Sequence, residues 1–180
     1  EKFLDIKCRN AKISPDVVVC VATIKALKYH GGMKIDNIKQ ESIEYLKNGI
    51  SNLLKHIYNI KNVYGLNVVV AINKYTSDTK KEIEFLEKKL NENGVELSIV
   101  ESWEKGGNGA IDLAHKVIKF AENNYNFSYA YQLEDTIEEK IRQIATKIYG
   151  AKDIEISDSA MKKIKNIEEL GYGNLPICIA

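Results

Sequence analysis

The chain has 180 residues, and its 26 Lys+Arg almost balance 25 Asp+Glu, for a net charge of +1. That balance offers no global field to hold nucleic acid or an anionic membrane, and the length holds one core, or one core with a small lobe. Three widely spaced cysteines, Cys8, Cys20 and Cys178, argue against a disulfide framework and against a CxxC zinc site, and point to a reducing, cytoplasmic setting.

The first clear element is Asp16 to Thr23 (DVVVCVAT), a continuous β-branched run expected of a strand covered on both faces. A loop is expected at His30-Gly31-Gly32. From about Asn37 to Tyr58, Ile43, Leu46, Ile50, Leu53, Leu54 and Ile57 recur at helical spacing. Leu66 to Ile72 (LNVVVAI) predicts a second buried strand, and Ser77 or Asp78 is expected to cap a helix that stops at Asn93-Gly94. Val95 to Val100 predicts a third strand. The loop KGGNG at 105–109 then opens a helix through about Ala121. Strand and helix alternating in this way imply right-handed βαβ units and a parallel sheet.

Tyr125 to Tyr131 reads as an aromatic, polar connection. Thr136 and Glu139 match a capping box for a helix ending at Gly150. A short strand at Ile154 and Ile156, a helix from Ser157 to Leu170 and a terminal strand from Leu175 to Ala180 complete the expectation. Cys20 and Cys178 lie in apolar runs and read as small hydrophobes. No apolar stretch nears the roughly 20 residues of a membrane helix, and Glu1 begins no signal-peptide pattern. Both ends read as cut, so the chain is expected to be one stretch of a larger intracellular α/β enzyme.

In an open parallel sheet, ligands bind at the carboxyl ends of the strands. Three loops are expected to leave such ends. In the first (21–32), Lys25, Lys28 and His30 beside two glycines make either an anion-accepting corner or a solvated turn. In the second (73–79), Asn73-Lys74 resembles the start of the NKxD base-recognition segment of P-loop GTPases. Thr76 stands where Asp is required, which disfavours guanine; Asp78 comes two residues late. In the third (101–109), the single tryptophan, Trp103, either stacks on a flat heterocycle or folds over the core edge. His56 and His115 stand alone on helices, without metal-ligand spacing.

VATIKALKYHGG (21–32) closely resembles the VATIRALKxHGG signature of formate–tetrahydrofolate ligases. The likeness extends to EKFLDIKCR (1–9), against EKFFDIKCR, and VVVAINKYTSDT (68–79), against VVVAINRFxTDT. It continues with WEKGGNGA (103–110), against WAKGGEGG, and IEELGYGNLPICIA (167–180), against IERLGYGNLPVCMA. This resemblance implies a ligase that activates formate with MgATP as formyl phosphate and transfers the formyl group to N10 of tetrahydrofolate. It also implies a monovalent-cation effect and a homotetrameric parent enzyme. The implied fold is a three-layer α/β domain of P-loop-NTPase-like type, with a mostly parallel sheet over 1–123 and a smaller C-terminal α/β lobe over 124–180.

By the same resemblance, Tyr75 and Trp103 are expected to sandwich the folate. Thr23, Lys25, His30, Gly31, Gly32, Asn73, Lys74, Gly106 and Gly107 are expected to shape the nucleotide and formyl-phosphate cavity. Tyr75 keeps the π face of the family's Phe, whereas Lys25 replaces an Arg and loses its planar fork. Asn108 and Ala110 replace Glu and Gly. No GxxxxGK[ST] segment occurs in this sequence, so the chain alone is expected not to turn over ATP. No residue is assigned as a catalytic acid, base or metal ligand. The competing reading is a stand-alone nucleotide- or folate-binding or assembly module without enzymatic activity.

Overall fold

A computed structural model describes residues 1–179. Wide helical turns over Lys2–Cys8 lead into α1 (Arg9–Ala11), followed by β1 (Val17–Ala22), α2 (Ile24–His30), a 3-10 turn (Ile35–Asn37) and α3 (Ile43–Tyr58). Wide turns over Asn59–Val63 precede β2 (Asn67–Asn73), α4 (Lys80–Glu92), β3 (Leu97–Val100) and α5 (Ser102–Lys105). A 3-10 stretch (Gly106–Ala110), α6 (Ile111–Ala121), α7 (Ile137–Gln143), wide turns over Ile144–Tyr149 and α8 (Asp158–Glu169) follow. The chain divides into two compact units.

The larger unit comprises Asp16–Lys61 and Leu66–Tyr125 and holds the sheet. Its strands are all parallel in the order β1-β2-β3, with Val17 opposite Asn67 and Asn73 opposite Val100. In the central strand, Val68 to Ile72 are each at most 4% exposed. Successive strand residues point to opposite faces, so this unbroken burial means that both faces of β2 are covered, which is why the strand reads as a plain apolar run. α6 packs along all three strands, while α3 and α4 touch one another and the outer strands β1 and β3 respectively.

The approach of α2 to α3 depends on two glycines. A Cβ on Gly49 would lie 1.9 Å from the Leu27 carbonyl oxygen, and one on Gly31 would lie 1.9 Å from that of Tyr45. Most of the VATIKALKYHGG segment is helix rather than loop: Val21 and Ala22 end β1, Ile24–His30 form α2, and only the turn at Gly31-Gly32 remains of the expected loop. Thr23 caps α2 by accepting from the Ala26 amide at 3.1 Å, and the helix buries Ile24, Leu27 and Lys28 before ending at Gly31.

The N-terminus of α4 also departs from expectation. Thr79, rather than Ser77 or Asp78, is the N-cap, in a reciprocal capping box with Glu82. Glu82 accepts from the Thr79 amide, the Ser42 amide and the buried Lys28 ammonium, the last at 2.9 Å. Lys28 donates further to the Gln40 carbonyl. This hub pins residues 40–42 and makes Ser42 the N-cap of α3, so that helix starts at Ile43 rather than near Asn37.

The smaller unit comprises Glu1–Pro15, Asn62–Gly65 and the chain from Asn126. Asp5, fully buried, accepts from the Tyr64 hydroxyl at 2.7 Å and the Ala130 amide at 2.8 Å. Arg9 lies 3.8 Å from the Tyr129 ring centroid and donates to the Tyr131 carbonyl. The aromatic connection is thus core material at its end, with Ala130 and Tyr131 at most 1% exposed.

Neither expected strand of this lobe forms among the described residues. The Ile154 amide bonds the Asp153 carboxylate, the Ile177 amide bonds the Tyr131 hydroxyl, and the Ile179 amide bonds Glu1. With side chains satisfying these amides, there is no ladder to join. The lobe's regular elements are helical, and Ala180 lies outside the described residues. Cys8 is buried, Cys20 half-buried and Cys178 exposed, so only the last departs from the apolar role read for it.

Candidate functional site

Parallel pairing brings the C-terminal ends of β2 and β3 side by side, and the Lys74 amide extends the ladder by donating to the Val100 carbonyl at 3.0 Å. The segments leaving these ends enclose a cavity of about 880 Å³ lined by Asn73, Lys74, Tyr75, Thr76, Asp78, Glu101, Trp103 and Glu104. All eight belong to the sheet unit.

Tyr75 is carried on a tight turn. Its amide donates to Asp78 Oδ2 at 2.8 Å, and the Asp78 amide donates back to the Tyr75 carbonyl at 3.0 Å. The Lys25 ammonium stands 3.7 Å from the Tyr75 ring centroid, a cation–π contact that occupies part of the ring's surroundings from α2. Tyr75 remains 43% exposed.

Trp103 lies on the single-turn helix α5 and is 97% exposed, which excludes the reading in which it folds over the core edge. The loop beneath it is closed by the Glu101 amide donating to the Gly109 carbonyl. A Cβ on Gly109 would lie 2.5 Å from the Glu101 carbonyl, so this closure needs glycine there.

Glu101 joins the two segments. One carboxylate oxygen accepts from Lys74 at 2.6 Å and the other from Lys105. The hydrogen bond from Lys105, followed by that from Lys74, holds its carboxyl down at about 2. Because the folded value lies below the ordinary 4.5, the clasp is complete above about 4.5 and opens as pH falls through about 2. A carboxyl-carbon NMR titration of Glu101 is expected to show its midpoint near 2; a midpoint at the ordinary carboxylate value would mean that the clasp does not form in solution.

Of the residues expected at the site, Asn73, Lys74, Tyr75 and Trp103 line this cavity, and Lys25 reaches it through the Tyr75 ring. Thr23, His30, Gly31, Gly32, Gly106 and Gly107 do not line it. Thr23 caps α2, Gly31 lets α3 approach, and His30 is exposed with its ring edge-on to Tyr29. Gly106 has a φ of 57°, a conformation suited to glycine. Among the described residues, no three His, Cys, Asp or Glu side chains are placed to hold a metal ion.

A family model for formate–tetrahydrofolate ligase matches residues 1–180. The chain belongs to this family. Formate–tetrahydrofolate ligases act in one-carbon metabolism and use ATP and tetrahydrofolate as substrates alongside formate. In this member, two features of the site escaped the sequence reading. Glu101 could have been suspected only from its position beside Trp103, since nothing in the sequence pairs it with Lys74. The Glu82 hub had a local signal, Thr79-Lys-Lys-Glu82, which is a capping-box pattern.

Proposed function

We propose that this polypeptide supplies the folate-side wall of a formate–tetrahydrofolate ligase active site, with Tyr75 and Trp103 stacking the pterin or its aryl arm. The enzyme's reaction runs in two steps. A formate oxygen attacks the γ-phosphorus of ATP and ADP leaves, giving formyl phosphate; N10 of tetrahydrofolate then attacks the formyl carbon, phosphate leaves, and the N10 proton is released. In this reading the chain's residues bind and position. Asn73 and Lys74 lie beside the stacking pair, and Lys25 links Tyr75 to the 21–32 segment, which together with Gly106 and Gly107 borders the formyl-phosphate side. The parallel sheet, with its cavity at the strand ends, is what a P-loop-NTPase-like domain would offer.

The observation that carries this reading is the exposure of Trp103 on the rim of a cavity shared with Tyr75. An indole held outside the core adds little to folding and leaves its whole face for a flat ring, which is worth roughly 0.5–1.5 kcal/mol beyond the area buried.

Tetrahydrofolate is expected to quench the fluorescence of Trp103, the chain's single tryptophan. By calorimetry, Trp103→Ala should weaken tetrahydrofolate binding about tenfold or more while changing stability by no more than about 0.5 kcal/mol, as for a surface substitution. Equal affinity in the two proteins would overturn the assignment.

A further inference from the structure

One lining residue of the cavity has an unused acceptor. Asp78 is only 8% exposed, and its Oδ2 holds the Tyr75 amide. Its Oδ1 is buried without a hydrogen-bond partner among the described residues. Of the other acidic residues lining the cavity, Glu101 has both oxygens taken by lysines and Glu104 is exposed to solvent. A buried acceptor without a donor is costly, and native structures rarely keep one without a reason.

We propose that Asp78 is a specificity-determining residue that accepts, through Oδ1, from the N–H donors on the edge of the ring held by Tyr75 and Trp103. This rests on the folate reading of the cavity. The aromatic pair recognises only a flat π surface, which any heterocycle provides. Asp78 adds the demand for a donor edge, and the 2-amino-4-oxo edge of a pterin, with its amino group beside a ring N–H, meets it. The carboxylate torsion of an aspartate is broad, so a modest rotation turns Oδ1 toward a ligand while Oδ2 keeps the Tyr75 amide. Burial pushes the Asp78 carboxyl above its ordinary value, against the bond from Tyr75; a donor delivered by the ligand would offset that burial.

The test uses pterin and lumazine, which differ in that lumazine has a carbonyl oxygen where pterin has its 2-amino group. The 180-residue protein is expected to bind pterin about 10–100-fold more tightly than lumazine, since a hydrogen bond to a charged group is at stake. Asp78→Asn keeps an oxygen for the Tyr75 amide but presents an NH2 group in place of Oδ1. It should weaken tetrahydrofolate binding by a similar factor and shift the preference toward lumazine. Equal wild-type affinity for pterin and lumazine overturns the proposal without any variant. So does an Asp78→Asn protein whose tetrahydrofolate affinity stays within about twofold of wild type. If Trp103→Ala weakens tetrahydrofolate binding while these ratios stay flat, the folate reading stands and the Asp78 role falls. If neither substitution matters, the folate reading itself has failed.

Discussion

Replacing Glu82 with alanine is expected to destabilise the protein by about 3–5 kcal/mol, the range for breaking a buried ion pair by removing one partner. Lys28 and Glu82 are both fully buried and 2.9 Å apart. Without the carboxylate, the Lys28 ammonium would keep, among the described residues, only the Gln40 carbonyl as a bonded partner, and the Thr79 and Ser42 amides would lose their side-chain acceptor. Glu82→Gln preserves an oxygen for these donors but no charge, and should cost less than alanine. Urea unfolding of the three proteins measures the difference; a loss below about 1 kcal/mol, the scale of an exposed pair, would refute the hub.

The hub also makes acid destabilising. Burial works to raise the Glu82 carboxyl, but hydrogen bonds from Lys28 and from the Thr79 and Ser42 amides outweigh it, and the net value lies below the ordinary 4.5. The folded protein therefore holds this proton less tightly than the unfolded chain. The stabilisation is complete above about 4.5 and is lost as pH falls below it. Because Glu82 anchors Thr79, one residue past the Tyr75–Asp78 turn, the aromatic wall of the cavity rests on this pair as well.

Gly49→Ala should destabilise by about 3 kcal/mol or somewhat more, an overpacking cost at this buried position, even though alanine's intrinsic helix preference is better than glycine's by about 1 kcal/mol. The new methyl would sit 1.9 Å from the Leu27 carbonyl oxygen and 2.7 Å from the Gly31 amide nitrogen, both backbone atoms that cannot rotate aside. That carbonyl already accepts from Gly31 at the end of α2. Helices α2 and α3 would have to separate, displacing Lys28 from its partners. Gly107→Ala is the control, because a Cβ there meets nothing within 4 Å. A Gly49→Ala protein that melts at or above the wild-type temperature would show that the two helices do not approach this closely.

The central strand was legible because burial on both faces leaves an uninterrupted apolar run, Val68 to Ile72; β1 kept its run of valines but not the expected cover on both faces, since none of its residues is buried and Val21 is 66% exposed. The helices over 111–121 and 158–169 were legible from their apolar spacing. The helix over 24–30 was missed because its short span holds two lysines and a histidine, and its cap, Thr23, follows directly on a strand. The strands expected near Ile154 and Leu175 failed for the opposite reason. Alternating apolar residues describe a strand only where another strand edge is available, and here side chains of Asp153, Tyr131 and Glu1 take the amides.

By itself, the sequence determined the family, the parallel α/β character and the two aromatic residues of the cavity, because each is written in contiguous residues: five motif blocks, apolar runs, and Tyr75 and Trp103 just beyond strand ends. Only the tertiary structure decided that Trp103 stands free, that Gly31 and Gly49 answer to each other's helices, and that Lys28 and Glu82 meet in the core. It alone also left Asp78 with one oxygen unmatched. These facts depend on distances between residues far apart in the chain, such as the 54 positions separating Lys28 from Glu82. Local propensity carries no record of such distances.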